Sequence, residues 1–179
     1  MVIGIVSNST RIQMTIAVVI VIGGGENYGS SSRCSRVWRT GVLQIEEVET
    51  PAPGAGEVLL RVRAIGLNRT ELTLRSGRSP VKPPLPSRIG SEAAGEIVAL
   101  GPDVSGFSIG ERVALVPTYG AAQYGLYGET SLAPARSLVK IPTGQTLTDA
   151  AATWVAFGAA WSGLIAVGQI KAKASQTER

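Results

Sequence analysis

From residue 42 onward the chain is a succession of short apolar-alternating runs, each closed by glycine or proline, and few folds accept such a text. Residues 57–67 show it best. Val58, Leu60, Val62 and Ala64 fall on one face, Arg61 and Arg63 on the other. A repeat of two marks a strand with one buried face. A strand over 42–48 precedes it across the turn Pro51-Ala-Pro53-Gly54-Ala-Gly56. Further strands are expected at 92–100, 111–116, 129–133 and 137–141. Gly101-Pro102, Gly106, Gly110, Pro117, Pro134 and Pro142 separate them, and residues 79–87 form a Pro-rich loop. Short strands at this spacing predict a β-barrel or sandwich rather than a βαβ array.

The period changes at Thr146. Thr146-Leu-Thr-Asp149 reads as a capping box with Asp in place of Glu. Residues 149–167 then carry Ala150, Ala151, Trp154, Phe157, Trp161, Leu164 and Ile165 at helical spacing. Gly158 and Gly163 weaken this helix and predict a break into two. Trp154 and Trp161, on one helical face, are expected in the core.

Composition narrows the chemistry. The chain has 179 residues with one cysteine, Cys34, and no histidine. A catalytic zinc site of the Cys/His type cannot be built from that set, nor can a histidine-based triad. An internal disulfide is excluded, so a reducing compartment, the cytoplasm, is the expected location. The net charge of +4 could suggest nucleic acid, but most of the excess lies in residues 1–41, where Arg11, Arg33, Arg36 and Arg39 face only Glu26. The rest is nearly balanced and has no basic stripe, so no nucleic-acid partner is expected. The longest apolar run, residues 14–22, is about half the ~20 residues a spanning helix needs, and no membrane partner is expected.

Residues 51–62, 66–77, 89–104 and 107–116, then Tyr127-Gly-Glu129, Leu138-Val-Lys140-Ile-Pro142 and the Ala-rich helix, follow one another in a fixed order. Together they resemble the medium-chain dehydrogenase/reductase superfamily, over about residues 42–177. Within it the chain is similar to the zinc-free quinone-oxidoreductase-like branch. Zinc alcohol dehydrogenases place a Cys ligand where this chain has Asn68, and a His ligand within Gly-His-Glu where it has Gly90-Ser91-Glu92. The resemblance implies a mainly β fold with a C-terminal helix, the GroES-like β-barrel. It implies reduction of a quinone, enone or activated carbonyl by hydride from NADP or NAD cofactors in reduced form, without zinc. The partner would be a small-molecule substrate, and a homo-oligomer stays open.

Asn68 matches the family's cleft Asn, whose amide can donate to a carbonyl oxygen; closing a turn after the strand 57–67 is the alternative. Glu92 either anchors the barrel behind the site or is a solvated strand-end residue. Tyr124 and Tyr127 are substrate-cleft candidates, with packing the favoured reading. Thr73 and Ala159 stand where quinone oxidoreductases commonly have Tyr and Thr near substrate or nicotinamide, so both are cleft positions by resemblance, Ala159 on the cofactor side.

Three imitations are set aside. Gly23-Gly-Gly25 to Gly29 lacks the dinucleotide spacing and a following amphipathic helix. Pro83-Pro-Leu-Pro86-Ser-Arg88 fits a polyproline ligand, yet a rigid loop is the better reading. Asn8-Ser-Thr10 and Asn68-Arg-Thr70 are acceptor sites only in a secreted chain.

Three segments are expected: an atypical stretch at 1–41, the GroES-like domain at 42–165, and the start of a connection to a coenzyme domain at 166–179, with the Rossmann coenzyme domain absent. The family usually has Phe-Gly-Gly-Pro before the equivalent of Val42. Codons compatible with Val37-Trp-Arg-Thr-Gly41 yield Phe-Gly-Gly-Pro after a one-base shift, so residues 1–41 read as a frame-shifted or mis-spliced segment. A chain lacking the coenzyme side would be nearly inert alone. The competing readings are a non-enzymatic binding or dimerisation module and a truncated gene product.

Overall fold

A computed structural model describes residues 18–21, 30–34, 43–47, 51–80, 87–119 and 123–170. Among these described residues nine strands run in chain order: β1 (Val18–Val21), β2 (Ser30–Cys34), β3 (Leu43–Glu47), β4 (Glu57–Leu67), β5 (Ser87–Arg88), β6 (Glu92–Leu100), β7 (Arg112–Leu115), β8 (Thr130–Pro134) and β9 (Leu138–Lys140). Three α-helices join them: α1 (Arg69–Arg75), α2 (Leu147–Ala151) and α3 (Trp154–Trp161), the last running into a π-helical turn, Ser162–Val167. The fold is mainly β with a C-terminal helix, as the strand spacing predicts.

β4 organises the larger sheet. One edge pairs antiparallel with β6 from Val58 to Gly66; the other meets β8 over Glu57–Arg61 and then β1 over Ala64–Leu67. β6 continues to β7 and β9, while β3, β2 and β5 form a smaller sheet. Two strands, β1 and β2, thus come from the stretch read as atypical.

The predicted alternation along β4 holds through Val58, Leu60, Val62 and Ala64, all buried. A register shift between Val62 and Ala64 then turns the strand. An inserted residue re-aims the side chains beyond it. Ile65 consequently joins the main core with Val58, Leu60, Ile89, Ile97, Val113, Leu115 and Leu126. Ala64 faces a second cluster of small residues, Ala94, Ala114, Ala150 and Ala151. Burying each large aliphatic side chain contributes about 1.5–3 kcal/mol, so the first cluster is the stabilising mass. The second lets α2 sit close to the sheet.

Two expectations about the C-terminal helix need correcting. The break falls at Ala152–Thr153, not at Gly158, because the first amides of α3 are held by a side chain of β6. Trp161 is not core: it is 62% exposed, with Phe157, Leu164 and Ile165 exposed beside it. Only the start of α3 is tied to the sheet, so Trp154 is partly buried against the alanine cluster while the later turns carry the apolar stripe into the open. Among the described residues no helix is long and apolar enough to cross a membrane.

Candidate active site at the end of β4

β4 ends at Leu67 and Asn68 caps α1, a helix absent from the sequence expectations. Asn68 has extended backbone (φ −119°, ψ 155°), and its N–H donates to Glu71 Oε2 at 3.0 Å. This reciprocal box satisfies donors that a helix start leaves open. The backbone of Asn68 thus starts a helix instead of closing a turn. Its side chain does something else: Nδ2 donates to Glu92 Oε2 at 3.2 Å.

Glu92 is 2% exposed, which removes the solvated reading. Its Oε1 accepts the N–H groups of Trp154 (2.5 Å) and Val155 (3.1 Å), the first amides of α3. One carboxylate thus joins β6, the end of β4 and the start of α3. Burial pushes the Glu92 carboxyl above the usual carboxylate range, opposed by those hydrogen bonds and reinforced by the negative charge of Glu71. Gly66 makes room for the arrangement. A Cβ there would lie 2.4 Å from the Ala151 carbonyl oxygen and 2.7 Å from Glu92 Oε2.

Glu71 is the buried residue that the sequence reading missed. Besides the Asn68 N–H, it accepts from the Thr70 hydroxyl at 3.2 Å, from the Ser91 N–H at 3.0 Å and from the Ser91 hydroxyl. The legible signal was Asn68-x-x-Glu71, an N-cap with an acid three residues on. Asn68 and Ser91 are each bonded to a buried glutamate, Asn68 to Glu92 and Ser91 to Glu71. Among the described residues no group of three or more His, Cys, Asp or Glu side chains converges as metal ligands would.

The remaining candidates scatter. Thr73 spends its hydroxyl on the Arg69 carbonyl at 2.9 Å, within α1. Tyr127 is buried in the core, its ring lying where a Cβ on Gly90 would be (2.3 Å from Cδ1); Gly90 has φ +107°, which further favours glycine. Tyr124 donates to Glu57 Oε1 at 2.6 Å, at the opposite end of β4 from Asn68. Its ring meets that of Tyr119 edge-on, with centroids 5.1 Å apart. The Tyr119 hydroxyl is buried with no hydrogen-bond partner among the described residues. Burial pushes the Tyr119 and Tyr127 phenols well above their ordinary range, and Glu71 adds to both shifts. Ala159 is exposed on α3. The structure therefore brings Asn68 and Glu92 together with the start of α3 and leaves Tyr124 elsewhere.

The sequence pattern of the alcohol dehydrogenase GroES-like domain matches residues 54–143, half of the chain. The chain belongs to that family. Among relatives of this GroES-like domain, the quinone oxidoreductase of Pseudomonas aeruginosa is 41% identical over 111 residues, 62% of this chain and 33% of its own. Among solved structures, the human synaptic vesicle membrane protein VAT-1 homolog-like protein superposes with TM-score 0.73 at 30% identity, over 80% of this chain and 45% of that one. Escherichia coli quinone oxidoreductase complexed with NADPH gives 0.67 at 25% identity, over 75% and 40%. The GroES-like chain spans about a third of the Pseudomonas relative's length.

Proposed function

We propose that this GroES-like domain is the substrate side of a zinc-independent NAD(P)H oxidoreductase that reduces a quinone, enone or activated carbonyl. The observation that carries the reading is the pair Asn68 and Ser91, an amide and a hydroxyl at the zinc-ligand positions, each hydrogen-bonded to a glutamate. Neither is a thiolate or an imidazole, the donors zinc prefers. With no Lewis acid on that site, charge developing on a carbonyl oxygen must be met by a positioned N–H. Asn68 is half-buried and has an amide hydrogen beyond the one given to Glu92.

A bound NAD(P)H would supply the hydride. The residues here fit its nicotinamide end. α3 starts beside Asn68, and exposed Ala159 lies five residues along it, about 7.5 Å on. A small side chain and an apolar helical face suit a flat ring. Nothing among the described residues offers the Gly-rich turn that cradles a pyrophosphate, so the domain orients substrate while the coenzyme is held by another unit. Holding the two together is where most of the rate arises, and residues 1–179 alone should turn over little. A cytoplasmic location belongs to the same proposal.

The test is NADPH oxidation with a benzoquinone or a simple enone, after metal stripping. It is run on residues 1–179 and on the same residues joined to the coenzyme-binding part of the Pseudomonas relative. The expectation is negligible turnover in the first and metal-independent turnover in the second, reduced at least 10-fold by Asn68→Ala. A folded fusion that is inactive, or active only with zinc, would sink the reading. The exposed stripe of Phe157, Trp161, Leu164 and Ile165 favours one alternative, a non-enzymatic binding or dimerisation module.

A further inference from the structure

We propose that Glu92 is a positioning residue whose ionisation sets which way the Asn68 amide points, while its second oxygen keeps the start of α3 in place. The inference rests on the reading that Asn68 lines the cleft, but it is a statement about geometry in the free protein.

The two carboxylate oxygens do unequal work. Oε1 receives two backbone N–H groups, from Trp154 and Val155, and Oε2 receives one side-chain N–H, from Asn68. A proton on the carboxyl turns one oxygen from acceptor to donor. On Oε1 it would confront two N–H donors that cannot turn away. On Oε2 it confronts one amide, and a half-turn of that amide presents Oδ1 to receive it, giving up the Glu71 N–H of the capping box, which keeps the Asn68 carbonyl oxygen as acceptor at 3.2 Å. The proton therefore settles on Oε2 and reverses Asn68. In the carboxylate form one amide hydrogen is committed to Glu92; in the acid form neither is.

The surroundings place this switch in reach. Glu92 is buried and its carboxyl is raised above the ordinary range, chiefly by loss of hydration. Glu71 of α1 is the charged group acting on it. α3 carries no charged residue, Asp149 of α2 is exposed and bonded to Thr146, Arg69 of α1 is exposed, and Arg75 lies at the far end of that helix. Gly66 beside Oε2 leaves the space the arrangement needs.

The experiment is a pH titration of isotopically labelled residues 1–179 by NMR. It follows the Glu92 carboxyl carbon, the Asn68 side-chain amide and the backbone amides of Trp154 and Val155. The expected result is one shared midpoint above 4.5, the ordinary glutamate value, with the largest shift at the Asn68 side chain. Glu92→Gln, whose Nε2 donates as the acid does, should abolish that transition and hold Asn68 in its low-pH position. An Asn68 side chain that stays still through the Glu92 transition, or moves at a separate midpoint, overturns the proposal without any variant. A coupled titration in a protein whose coenzyme fusion is inactive would keep this inference and remove the enzymatic reading.

Discussion

Tyr119 and Tyr127 show what a phenol does to a core that has little else to offer it. Both sit among apolar side chains, Tyr119 with its hydroxyl unpartnered among the described residues, and burial holds both protons more tightly than in the unfolded chain. A folded-state pKa raised above the unfolded value gives stability that is complete below the unfolded pKa, near 10. That stability is lost as pH rises towards the folded value. The thermal midpoint should accordingly be flat from neutrality to about pH 9 and fall beyond pH 10. Tyr127→Phe should lessen that alkaline fall, a difference that calorimetry at pH 7 and pH 11 would reveal; equal slopes in both proteins would refute the account.

The elements differ in how legible they were. Residues 57–67 announced themselves because their faces alternate, and the observed strand has those bounds. The strands at 92–100 and 137–141 appeared for similar reasons, within a residue or two. α1 did not, since Arg69–Arg75 is only two turns long and buries just Glu71 and Leu74. Its cap and N3 acid were visible, but seven residues give no period to read. The break before α3 was misplaced for a tertiary reason: Glu92, some sixty residues away in sequence, captures the amides of Trp154 and Val155. No local propensity encodes that contact. At the site, Asn68 and Glu92 were legible through resemblance, whereas their mutual bond and the role of Glu71 required the fold. Gly66 tests the junction of β4, α2 and β6. Gly66→Ala would force a methyl against the Ala151 carbonyl and the Glu92 carboxylate. Denaturant unfolding should show a loss of about 1–3 kcal/mol; an unchanged midpoint would mean that these elements are not so closely seated.

At the scale of the molecule the apolar surface is uneven. Phe157, Trp161, Leu164, Ile165, Val167 and Ile170 are all exposed along α3 and the turns after it, whereas the sheet buries its own aliphatic residues. Soluble chains seldom leave such a patch uncovered. In dilute buffer residues 1–179 should bind hydrophobic dyes and scatter light increasingly with concentration. The pair Phe157→Ser and Trp161→Ser should reduce both signals while shifting unfolding by no more than about 0.5 kcal/mol, as surface changes do. Persistent association in that double variant would move the responsible surface elsewhere.

β4 has neighbours on both edges along nearly its whole length, β6 on one side and β8 then β1 on the other. Adding or deleting a single residue there would swap inward and outward side chains relative to three partners at once. Chain length is thus frozen at the strand that delivers Asn68. It is free at the hairpin between β6 and β7, where Asp103, Ser105, Gly106 and Ser108 are exposed. Lineages, or engineers adding a label, can lengthen this protein there without disturbing the seat of the Asn68 amide.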